Sequence, residues 1–135
     1  MASRESPPSS PPRSADERLM PRERLRRRAD FLRCYRAGRR RQGALALVYY
    51  VRNLAGHPRI GITASRKVGA AVVRNRLKRR IREIYRRWPE RAALDACDLV
   101  VHLKPEAAGA GFAVFREDVL RLLGGVAATH RRQGH

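Results

Sequence analysis

The stretch from residue 70 to residue 87, AAVVRNRLKRRIREIYRR, constrains this chain more than any other. Eight basic side chains lie between Arg74 and Arg87, against the single acid Glu83. Like charges at i,i+4, such as Lys78 and Arg82, repel on a helix. Yet Val73, Leu77, Ile81, Ile84, Tyr85 and Trp88 share one face at about 100° per residue, and Pro89 closes the pattern. The apolar stripe must dock on a sheet, because only tertiary burial offsets that repulsion. Arg76, Lys78, Arg79, Arg80, Arg82, Arg86 and Arg87 cover the outward arc, with Arg74 at its boundary. Glu83 reaches only near neighbours such as Arg79, Arg80 or Arg87. Asn75, near the helix start, either reads a base edge or caps the helix.

The whole chain repeats this imbalance. Its 135 residues hold 31 basic and 12 acidic side chains, a net charge of +19, which calls for a polyanionic partner. Residues 1–29 carry eight arginines and four acids, so most of the excess lies in the remainder, the part able to fold. Only Lys67, Lys78 and Lys104 are lysines. That ratio is read as coding bias, and the total charge as functional. Cys34 and Cys97 are far apart and outside any CxxC, so buried free thiols are expected. The first residues lack the apolar run of a signal peptide, and no stretch has membrane-spanning length. A cytoplasmic protein without a membrane partner is expected; a transit peptide fits poorly because Glu5, Asp16 and Glu17 lie in the arm.

Residues 1–21 form a Pro/Ser/Arg-rich arm expected to be disordered. A folded domain is expected over 22–126, with a flexible basic tail over 127–135. Asp30 is read as the N-cap of a short helix that ends at Gly38. ALALVYYVRN is a strand with Leu45, Leu47, Tyr49 and Val51 on one face and Ala46, Val48 and Tyr50 on the other. NLAGHP turns the chain into RIGITAS, giving a hairpin. CDLVVHLK reads as an interior strand. FAVFREDVLRLLGGV is an amphipathic helix with Phe112, Phe115, Val119, Leu122 and Leu123 inward. The order is α-β-β-α-β-α, an α+β two-layer sandwich. No catalytic constellation appears: His57, His102, His130 and His135 are scattered, and no acids pair to hold two metals. Asp95 and Asp98 read as turn residues.

The sequence RIGI, then SRKVG, then AVVRNRLKRRIRE resembles the protein component of bacterial ribonuclease P. ERLRRRADFLRCYRAGRR upstream and LVVHLKPEA downstream extend the resemblance over Arg22 to Leu123. It implies a four-stranded sheet of the ribosomal S5 domain 2-like kind, with a left-handed βαβ crossover against the general right-handed rule. It also implies a non-catalytic protein subunit of an endoribonuclease that removes the 5′ leader of precursor tRNA. The Mg2+ ions and the active site belong to the RNA subunit and its substrate, and no protein partner is required.

Carried over residue by residue, the resemblance assigns Arg74, Asn75, Arg76, Lys78, Arg79 and Arg82 to binding the RNA subunit. It assigns Phe31, Tyr35, Tyr49, Arg66, Lys67 and Lys104 to a cleft for the precursor-tRNA leader, where aromatics stack on bases and cations track phosphates. Phe31 is equally well read as core packing, and Tyr50 is the alternative to Tyr49. Leu103 departs from the family, which often has a basic residue before that lysine. The rival reading is a ribosomal or general RNA-binding protein without a role in cleavage.

Overall fold

The structure is a computed structural model, described here for residues 19–133. Its helices are α1 (Arg28–Ala37), α2 (Ala71–Arg87) and α3 (Phe112–Gln133). Its strands are β1 (Arg39–Gln42), β2 (Ala46–Arg52), β3 (Arg59–Ala64) and β4 (Cys97–Leu103). They form one sheet in the order β1-β2-β4-β3, antiparallel except for the β3–β4 pair. The expected hairpin between β2 and β3 is therefore absent, because β4 lies between them. Physically, β4 is the strand with the most continuous burial, and both its edges need a partner. The real hairpin joins β1 to β2. Its first strand reads RRRQ and is exposed throughout, so it carries no apolar alternation, and its place in the sheet is set by backbone pairing with β2.

Alternation divides the sheet into two faces. Ala46, Val48 and Tyr50 of β2 and Leu99, Val101 and Leu103 of β4 face α2 and α3. There they meet Leu77, Ile81, Ile84 and Tyr85 of α2 and Phe115, Val119, Leu123 and Val126 of α3. The apolar stripe of α2 is thus the packed face that its periodicity demands. Leu19 joins the same core, so the ordered chain begins before residue 22. Residues 1–18, most of the expected disordered arm, lie outside the described residues.

Helix α3 departs from expectation twice. Phe112, expected inward, is 48% exposed in the first turn, where the Arg80 guanidinium lies 5.3 Å from its ring centre. The helix also runs through Gly124 and Gly125 to Gln133, past the boundary where a flexible tail was expected at 127. Gly125 leaves room for the Arg41 guanidinium, which a Cβ there would push aside. Val126 and Ala127 beyond it are buried, and this packing carries the helix past two poor helix formers.

The opposite face is covered by α1 and by Leu25 of the segment before it. Cys34 packs with Leu25 and Val100, flanked by Phe31, Tyr35, Tyr49 and Val51. Both cysteines are free and buried, and burial pushes the Cys34 thiol up to about 12. The N-cap of α1 is Arg27, not Asp30. Asp30 sits in the first turn, where a carboxylate suits the helix dipole, and lies 3.7 Å from Arg59.

Asp98 is no turn residue but a fully buried carboxylate within β4. It accepts hydrogen bonds from Arg33 of α1 at 3.0 Å, from Arg59 of β3 at 2.8 and 2.9 Å, and from Asn53 at 2.8 Å. Removing one member of a buried ion pair costs about 3–5 kcal/mol. Arg33 and Arg59 keep partial contact with water, so Asp98→Ala is expected to cost about 3 kcal/mol in urea unfolding. A loss below about 0.5 kcal/mol, the scale of ordinary surface substitutions, would contradict this role.

Candidate nucleic-acid interface

Residues paired across strands share a face, so the register defines the floor beneath α1. One row runs Arg40, Tyr49, Val100, Gly61, and the next runs Gln42, Leu47, His102, Thr63. Tyr49 therefore lies on the α1 face, while Tyr50 is buried in the core on the other side. Phe31 lies against Gly61, where an added Cβ would meet its ring at 2.5 Å. Glycine at 61 is what lets this ring lie on the strand. Phe31 is only half-buried, so it is packed on one side and open on the other.

Tyr35 is more tightly fixed. Its hydroxyl is 2.8 Å from the Thr63 hydroxyl, which is 2.8 Å from His102 Nδ1. Its ring meets Tyr49 edge-on at 4.8 Å and His102 at 6.3 Å. The half-buried Tyr35 hydroxyl is raised above the usual tyrosine range by burial, an effect that its Thr63 bond opposes. Tyr35, Tyr49, Thr63 and His102 thus form one partly open aromatic and polar wall.

Because β3 and β4 are parallel, their C-terminal ends lie together at Ala64 and Leu103. Arg66 and Lys67 follow β3 in a single exposed 3-10 turn. Lys104 follows β4 and donates from Nζ to the Gly43 carbonyl at 2.7 Å, which leaves two of its three donors for a ligand. Three cations therefore stand at the end of the aromatic wall. Leu103 points away from it into the helix-side core. The residue of β4 that faces the cleft at this end is His102, overlooked in the sequence although the alternation from Val100 predicts its side.

The second basic surface lies on α2, over the other face of the sheet. Asn75 is exposed at the fifth position of the helix, past the reach of an N-cap. Arg74 folds back from Nε onto the Gly69 carbonyl at 3.1 Å. Glu83 pairs with Arg86 and, at 2.8 Å, with Arg87, one of the near neighbours expected from the sequence. Arg86 is drawn inward by this contact, so it does not join the outward arc. Arg76 and Arg79 are exposed, Lys78 and Arg82 half-buried. Burial, then Arg24 and Arg79, hold the Arg82 guanidinium below its ordinary range.

Among the described residues no group of three or more His, Cys, Asp or Glu side chains is placed to hold a metal ion. Among the same residues no helix is long and apolar enough to cross a membrane.

Fold and surfaces together define a small basic α+β domain shaped for a polyanion, with an aromatic cleft on one face and a cationic helix on the other. The sequence profile of the Ribonuclease P family matches residues 19–127, and the chain belongs to that family. It is 43% identical over 110 residues to the ribonuclease P protein component of Desulfovibrio desulfuricans, covering 78% of this chain and 84% of that one. With the Dictyoglomus thermophilum component it shares 52% identity over 64 residues, 47% of this chain and 53% of its relative's length. The RNase P protein of Staphylococcus aureus has a solved structure that superposes with a TM-score of 0.69 at 30% identity, over 76% of this chain and 93% of that one.

Two histidines give the domain a pH signature. Burial holds His102 below the usual histidine range, and His130, edge-on to Tyr50, is lowered chiefly by burial too. The unfolded chain then takes up protons first as pH falls. Stability is full above the unfolded value of about 6.5 and declines as pH drops through it toward the depressed folded values. The urea midpoint should fall between about pH 7 and pH 5, and fall less in a His102→Gln, His130→Gln double variant. Equal pH dependence in both proteins would contradict the burial effect.

Proposed function

We propose that this chain is the protein subunit of a ribonuclease P ribonucleoprotein, binding the catalytic RNA through α2 and the 5′ leader of precursor tRNA in the α1 cleft. The RNA subunit, with its Mg2+, performs the cleavage that gives the mature 5′ end. The observation that carries this reading is the separation of two unlike surfaces. One combines rings with flanking cations, and the other is an arc of cations facing outward from a packed helix.

The cleft suits a single strand of variable sequence. Tyr35 and Tyr49 offer stacking surfaces to any base, and Phe31 extends them. Anchoring the Tyr35 hydroxyl on Thr63 fixes that ring before the strand arrives, which lowers the entropy lost on binding. Arg66, Lys67 and Lys104 meet the phosphates where the strand leaves the rings. His102, neutral near pH 7, adds a polar ring without a charge.

On α2, Arg74, Arg76, Lys78, Arg79 and Arg82 meet phosphates of the folded RNA, with Asn75 among them as a neutral donor and acceptor. Guanidinium forks bind phosphate bidentately, and counterion release makes such binding strongly salt-dependent. The chain contributes to cleavage by positioning the substrate on the RNA.

Reconstitution tests the reading. The chain alone should cleave nothing. Added to the RNA subunit at low Mg2+, it should restore leader removal at the mature 5′ end. Cleavage by the chain alone, or no gain with the RNA, would contradict it. Pull-down of ribosomal RNA alone would favour a general RNA-binding role instead.

Substitutions should separate the surfaces. Arg76→Ala or Arg79→Ala should weaken RNA-subunit binding and flatten its salt slope by about one unit per lost phosphate contact. Tyr35→Ala should weaken binding of leader-bearing precursor by roughly 1–3 kcal/mol and leave mature tRNA unaffected. An unchanged preference for precursor would return Tyr35 to a packing role.

A further inference from the structure

The outer edge of β3 is covered along only part of its length. Arg24 bridges to Ile60, and the Leu25 N–H donates to the Ile60 carbonyl at 2.8 Å. The segment then leaves the strand toward α1. Alternation along β3 turns the Ile62 N–H and carbonyl to the same outer side, beyond the last bridge. Among the described residues no strand pairs with that edge.

What remains is a cavity of about 240 Å³, lined by Arg24, Arg26, Phe31, Gly61, Ile62 and Arg82 among others. No acid lines it. Its three guanidiniums come from two elements on either side of the strand edge: Arg24 and Arg26 from the segment before α1, and Arg82 from α2. Among the described residues none of the three side chains is held by a hydrogen bond or an ion pair. They do feel one another: Arg24 and Arg79, after burial, disfavour the charge on Arg82. An anion in the cavity would remove that repulsion and accept from all three forks, with the Ile62 N–H as a further donor.

We propose that this cavity holds a phosphodiester of the RNA subunit, which makes Arg24 and Arg26 part of the RNA-binding surface. The inference rests on the function proposed above and extends it. It links the α2 arc to the α1 cleft around the β3 edge, because Phe31 and Arg82 line the same space. Neither the helical periodicity of α2 nor the motif spacing points to the segment before α1. Its arginines gain a role only through the fold.

The test is RNA-subunit binding by the full chain, without tRNA, over a salt series. Arg24→Ala and Arg26→Ala should each weaken binding about tenfold, the loss typical of one charge-assisted hydrogen bond, and flatten the salt slope by about one unit. Arg24→Ala combined with Arg82→Ala should lose less than the product of the single losses, since the two share one phosphate. Both segment arginines are exposed, and thermal unfolding verifies that each variant folds. Wild-type affinity and slope in the single variants would overturn the site, as would fully multiplicative losses. A loss seen only with precursor tRNA would overturn it too, by assigning the phosphate to the substrate. Failure of the wild-type chain to bind the RNA subunit would instead overturn the function it rests on.

Discussion

One buried carboxylate orders the cleft side of the molecule. Asp98 sits on the α1 face of β4, and its partners come from α1, β3 and the end of β2. A buried charge is costly unless paired and hydrogen-bonded, and here two arginines and an asparagine satisfy it. The apolar contact beneath α1 is small, with Cys34 the only fully buried residue of that helix. Such a contact alone would hold α1 loosely. The Asp98 network fixes its position over the sheet, and with it the placement of Tyr35 above Thr63 and of Phe31 on Gly61. On the other face α2 and α3 bury many large side chains, and the buried Asp118 of α3 only adds to this by accepting from the Ala44 and Leu45 N–H groups.

That difference also explains what could be read from the sequence. The α2 stripe was legible because Leu77, Ile81, Ile84 and Tyr85 all obey one helical period and all are buried. From Ala46 onward the faces of β2 were legible for the same reason, which is why Tyr49 and Tyr50 separate as the alternation says; Leu45, expected on the Tyr49 face, precedes the strand and is buried in the helix-side core instead. Strand β1 was not legible, since RRRQ pairs through its backbone and buries nothing. The strand order was hidden as well. Adjacent strands with a turn between them read as a hairpin, and only the arrival of β4 later in the chain displaces that pairing.

Asp98 was read as a turn residue because a lone acid beside a turn gives no local sign that three distant donors converge on it. Phe112 misled because helical spacing takes no account of where a helix begins to touch its neighbour. For the site, the family motifs named Arg66, Lys67 and the α2 cations. His102, Thr63, Arg24 and Arg26 come together only through strand register and the open edge of β3.

In the function proposed above, the two surfaces take two separable tasks, one on each side of a four-stranded sheet. Grip on a folded RNA needs many charges and little shape, which in this proposal falls to α2, a helix anchored by its apolar side. Holding a single strand needs rings at fixed angles, which in the same proposal falls to the α1 face. The most direct test of this division is the affinity of the reconstituted RNA–protein complex for leader-bearing precursor relative to mature tRNA, compared with the RNA subunit alone. The expected result is that adding the chain strengthens precursor binding well beyond any gain for mature tRNA. Equal strengthening of both would contradict a leader-holding cleft.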